Sequence, residues 1–116
     1  MTDSCDTSVQ TAYDAAHKAL SGRYDGNVDA TALRVARLLC ARQERHGMRS
    51  LMRLVQSPES RAVLVDGLVD GLVAEGACGG VGHARPVLDD ALVAAARALW
   101  DEGRHRFRAA HGAAQP

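Results

Sequence analysis

The segment from Ser57 to Gly76, SPESRAVLVDGLVDGLVAEG, is the most apolar run in the chain and limits what the rest can do. Ser57 can cap a helix, Pro58 suits the first helical position, and Glu59 sits where the helix dipole favours an anion. Leu64, Val65, Leu68, Val69, Leu72 and Val73 then recur at helical spacing as one wide stripe. A helix of this kind must bury that stripe against other helices. The segment reads as the central helix of a small all-α domain.

The same segment holds a four-residue repeat, Val65-Asp66-Gly67-Leu68 followed by Val69-Asp70-Gly71-Leu72. A period of four stacks Gly67 over Gly71 on one face. Each glycine in a helix interior costs about 1 kcal/mol relative to alanine, so the pair asks for a compensation of about 2 kcal/mol. Two Asp-Gly hairpin turns are excluded, because Leu68 and Val69 alone separate them, too few for a strand. Close approach of another helix, from this chain or a second copy, would supply the compensation. Gly67, Gly71, Leu68 and Leu72 are therefore the candidate helix-packing or dimer surface. A mediocre helix rescued by its apolar stripe is the plainer alternative.

At 116 residues the chain has the length of one domain and can bury a core without staples. Ala, Leu and Arg favour helix, and there is no isoleucine. The near absence of lysine beside abundant Ala, Arg and Gly suggests a bacterial, high-GC coding origin. No stretch is apolar for the ~18 residues of a membrane span, and residues 1–8 have neither the basic start nor the apolar core of a signal peptide. The expectation is a cytoplasmic protein, with Cys5, Cys40 and Cys78 as free thiols.

Taken in order, residues 1–6 should be a loose tail, and Asp6 or Thr7 should cap a helix that runs to Leu20 with Val9, Ala12, Tyr13, Ala16 and Leu20 inward. Asn27 or Asp29 should start a second helix, Ala30 to His46, with an inner stripe of Leu33, Ala36 and Cys40 broadened by Val35, Leu38 and Leu39. Gly47 should break the helix before Met48, Leu51, Met52 and Val55 resume a helical pattern. Four glycines between Gly76 and Gly82 predict an irregular link. Pro86 should open the last helix, with Asp89 and Asp90 in its first turn, arginines at its end, and Leu88, Ala91, Leu92, Ala95, Leu99 and Phe107 inward. Residues from about 110 should be a tail. The predicted architecture is a bundle of about five helices, with Val63 to Ala74 at its centre against Leu33–Cys40 and Leu88–Leu99.

Charge is zero in total but arranged in blocks. Residues 32–61 hold seven arginines against Glu44 and Glu59, and residues 62–103 hold seven acids against Arg85 and Arg97. Such blocks can pair within a fold or between copies, and a zero total favours self-association. Arg42, Arg45, Arg49 and Arg53 are the candidate nucleic-acid contacts. Helix, turn at His46-Gly47-Met48 and short arginine-rich helix match a helix-turn-helix in outline only, because Met48, Leu51, Met52 and Val55 have the pattern of core residues. An arginine face neutralised by the acids of 62–103 is the plainer expectation.

Cys40 with His46 and Cys78 with His83 are spaced too widely for a zinc site, so no metal is expected. Cys78, between glycines, is the candidate reactive thiol if a helix N-terminus or Arg85 lies near. The glycine run before the last helix lacks the preceding strand and the Lys-Ser/Thr ending of a phosphate loop. His17, His46 and His83 could be bases, and Asp66 with Asp70 or Asp89 with Asp90 could be carboxylate pairs, but no nucleophile–base pair stands at local spacing. The sequence therefore points to a non-catalytic interaction or regulatory module, without cofactor, that forms a homodimer. Its alternatives are a nucleic-acid-binding regulator and a small-ligand-binding helical bundle or small enzyme.

Overall fold

The computed structural model describes the backbone of residues 2–74 and 84–112 and the side chains of residues 7–74 and 84–105. Five helices account for these residues: α1 (Thr2–Leu20), α2 (Val28–His46), α3 (Met48–Gln56), α4 (Pro58–Ala74) and α5 (Arg85–Gly112). Among the described residues there is no strand, and the all-α expectation of about five helices holds.

The helix boundaries follow local chemistry. Gly22 at φ 78° closes α1, and Tyr24 N–H donates to Leu20 O at 2.9 Å. Asn27 Oδ1 accepts from Ala30 N–H at 3.0 Å and caps α2. Gly47 adopts φ 84°, ψ 164°, a conformation costly for any residue with a Cβ. Its N–H donates to Gln43 O at 2.8 Å and its carbonyl accepts from Leu51 N–H at 3.1 Å, so one residue ends α2 and begins α3. Ser57 separates α3 from α4 and accepts from Ser60 N–H at 3.3 Å, with Pro58 in the first helical position.

Three expectations are corrected. First, α1 starts at Thr2, so residues 2–6 are helical where a tail was expected, and α5 continues to Gly112. The two long helices lie along each other, and that packing extends both past their local sequence signals. Second, α4 is not the centre. The best-packed layer is α1 between α5 and α2, and α4 lies to one side of it. Hydropathy marked α4 because it is apolar nearly all round. Only Leu64, Val65, Leu68 and Leu72 are buried, while Val63 and Val73 are 66% and 55% exposed. The true centre is lined by alanines that let backbones approach closely, Ala12 and Ala16 on α1, Ala32 and Ala36 on α2, and Ala91, Ala95 and Ala96 on α5.

Third, the inner stripe of α2 is turned. Thr31, Ala32, Val35, Ala36, Leu39 and Cys40 are buried, whereas Leu33 and Leu38 are half-buried and face a surface groove. The described part of α4 reaches Ala74. The Gly76–Gly82 link, with Cys78 and His83, falls outside the described residues.

Polar clamps tie the layers together. Thr11 and Ser8 on α1 donate to Glu102 on α5, Ser8 at 3.2 Å. Half-buried Arg61 joins three helices, donating from Nε to Asp89 at 2.8 Å and from Nη1 to Val55 O at 2.7 Å. Arg23 reaches Asp90 at 2.8 Å, and Arg85 pairs with Asp66. No described helix is long and apolar enough to cross a membrane.

Candidate interaction surfaces

The turn of α2 that moves Leu33 and Leu38 out of the core creates a groove against α4. Its volume is about 560 Å³. Ala30, Leu33, Leu38 and Leu68 give it an apolar floor, Gly67 lies at its edge, and Arg34 and Arg37 form a basic rim. The two repeat glycines have different surroundings. A Cβ on Gly71 would sit 2.5 Å from Nη1 of Arg34, so the missing side chain makes room for a guanidinium. A Cβ on Gly67 would meet nothing within 4 Å. The smooth surface predicted from the repeat is thus occupied at Gly71 by Arg34 and open at Gly67.

Leu68 and Leu72, placed with the glycines on the candidate dimer surface, are 2% and 5% exposed and belong to the core. Arg85 on α5 pairs with the first repeat aspartate, Asp66, while Asp70 is exposed and makes no hydrogen bond or ion pair among the described residues. The open face of α4 therefore carries Val63, Gly67, Asp70 and Val73. On a helix, 63, 67, 70 and 74 fall along one line and 73 beside it.

The second surface is the corner where α2 meets α3. Arg45, Arg49 and Arg53 are exposed and Arg42 is half-buried. The described acids of 62–103 make no ion pair with them. Asp66, Asp89 and Asp90 are taken by Arg85, Arg61 and Arg23, and Arg42, Arg45, Arg49 and Arg53 make no hydrogen bond or ion pair among the described residues. The expected pairing of the basic block with the acids of 62–103 is met by Arg61 with Asp89, and Glu75 lies outside the described residues. Sequence blocks record how much charge there is and leave open which side chains meet.

The carboxylate pairs considered for catalysis are split between partners, Asp89 to Arg61 and Asp90 to Arg23 on opposite flanks of α5. A cluster not foreseen from the sequence lies where α1 ends and α2 begins. His17 Nε2 donates to Asp29 Oδ1 at 2.8 Å, Tyr13 Oη donates to the same oxygen at 3.1 Å, and Ser21 Oγ lies 3.3 Å from His17 Nδ1. The signal was available, since His17 and Ser21 stand four apart at the end of a helix and Asp29 opens the next one.

The order Ser–His–Asp invites a nucleophile reading, and the geometry opposes it. The Ser21 proton goes to His17 O at 2.7 Å, a shorter contact than that to Nδ1. Serine, histidine and aspartate also lie at the surface rather than in a cleft. The cluster acts as a clasp between helices. Within it, desolvation first, then the hydrogen bond to Asp29 and the negative charges of Asp29 and Asp14, hold the Tyr13 phenol above its ordinary value of 10.0.

Cys40 is buried in the core and in no disulfide, and His46 is exposed. Among the described residues no three His, Cys, Asp or Glu side chains converge as a metal site would require. A shallower depression between α4 and α5 is lined by Arg61, Asp89, Val93, Arg97 and Asp101, with mixed charge. No protein-family model, curated protein or solved structure matches the chain.

Proposed function

We propose that this protein is a non-catalytic interaction module that self-associates as a homodimer, with the open face of α4 seated in the groove of a second copy. The observation that carries the reading is the complementarity of those two adjoining surfaces. One offers two exposed valines and Asp70, which has no ion-pair partner among the described residues, and the other offers an apolar floor with Arg37 on its rim. A two-fold axis near Gly67 would bring each to the other twice, as a self-complementary interface demands. The open space at Gly67 lets the helices approach.

Magnitudes set the strength. Completing the burial of Val63 and Val73 in both copies contributes about 4 kcal/mol, at about 1.5 kcal/mol for a whole valine. A micromolar dimer needs about 8 kcal/mol. The groove floor and the Asp70–Arg37 pairs must supply the remainder, so the dimer is expected to be a micromolar one. Light scattering on a size-exclusion column tests this with the Val63→Asp/Val73→Asp variant. Both positions are already exposed, so the monomer fold should survive, and the dimer should be lost. A variant that remains as dimeric as the parent would refute the assignment of this face.

A further inference from the structure

We propose that the corner formed by the end of α2 and the length of α3 is a binding surface for the phosphate backbone of double-stranded nucleic acid. It is separate from the α2–α4 groove and does not depend on dimerisation. The arginines of this molecule fall into two groups. Arg23, Arg61 and Arg85 each hold an aspartate. Arg42, Arg45, Arg49 and Arg53 hold none among the described residues, and residues 42–56 contain those four arginines against the single acid Glu44. A chain of zero net charge thus keeps a concentrated positive patch, because its acids lie mostly outside residues 42–56.

Local structure gathers the patch. Gly47 alone joins the two helices, so Arg45 and Arg49 flank a one-residue joint, and Arg49 and Arg53 are one turn apart on α3. The inward face of α3 is fixed in the core by Leu51 and Val55, so α3 can present only Arg49, Ser50, Arg53 and Gln56 outward. Arginine, serine and glutamine are the side chains that donate to phosphate oxygens.

The same outward face argues against other anionic partners. It exposes no large apolar side chain to enter a bilayer, as an interfacial helix would. It also lacks the aromatic or aliphatic anchor of a protein–protein hot spot. Single strands are disfavoured as well, because the described aromatic side chains, Tyr13, Tyr24 and Trp100, lie on other parts of the chain and give no base-stacking platform here.

Fluorescence anisotropy with a labelled 20-base-pair duplex of mixed sequence tests the assignment on the full chain. Four phosphate contacts predict a salt slope of about −3.6, so affinity should fall about 150-fold between 50 and 200 mM salt. The Arg49→Gln/Arg53→Gln variant, whose helix content is checked by circular dichroism, should reduce that slope by about two. An Arg97→Gln/Arg104→Gln control, exposed on α5, should leave it unchanged. No anisotropy change at 50 mM salt would overturn the proposal. So would equal losses in both variants, or binding to phosphatidylserine vesicles or polyglutamate with none to the duplex.

Discussion

Thr31 offers the sharpest stability test in this fold. Its side chain is 1% exposed at the start of α2, and its Oγ1 has no hydrogen-bond partner among the described residues. An orphaned buried hydroxyl costs about 1–3 kcal/mol in lost hydration. Thr31→Val exchanges that hydroxyl for a methyl of similar size, with little change in helix propensity. The account predicts a gain of about 1 kcal/mol, the lower end, because the added methyl must fit a packed site. For 116 residues the unfolding entropy is about 0.24 kcal/mol/K, so Tm should rise by about 4 °C. Urea unfolding should show a higher midpoint with an unchanged slope. Thr31→Ser, which keeps the hydroxyl and loses the methyl, should destabilise by about 1 kcal/mol. If Thr31→Val is neutral or destabilising while Thr31→Ser is tolerated, the hydroxyl is satisfied in solution and the reasoning is wrong.

Other consequences follow from single residues. Gly47→Ala should destabilise by about 1–3 kcal/mol in chemical unfolding, since φ 84°, ψ 164° excludes a Cβ. Gly67→Ala should stabilise the monomer by about 1 kcal/mol in dilute solution, and Gly71→Ala by less, because its methyl must displace Arg34. Arg61→Met should cost about 2 kcal/mol by the same measurement, as it removes both the Asp89 pair and the Val55 cap. In an ultraviolet titration the Tyr13 phenol should ionise above pH 10.0, and Asp29→Asn should lower that value. Because the folded-state value is raised, the Tyr13 contribution to stability is complete below pH 10 and is lost as pH rises through the folded value.

Much of the backbone was legible because its signals are local. Asn27, Gly47 and the Ser57-Pro58 pair set their boundaries through chemistry within four residues, and the Leu88–Leu99 stripe of α5 is buried as its period requires. The layer order was not legible. Mean hydropathy ranks Val63 and Val73 with Leu64 and Leu68, yet it is blind to which side of α4 meets a neighbour. It also undervalues the alanine faces of α1 and α5, which matter through the closeness they allow. The same limit applies to the surfaces. The repeat marked Gly67 and Gly71, but only three dimensions show Arg34 lying over one of them. The arginine run marked Arg42 to Arg53, but the partners of Asp66, Asp89 and Asp90 are set by packing across the bundle.

The most direct measurement of the central claim is native mass spectrometry on the purified chain over a micromolar concentration series. A species at twice the 12.3 kDa chain mass, growing with concentration and carrying no additional mass, is the predicted result. A monomer throughout the series would contradict it, as would a complex whose extra mass is that of a small ligand.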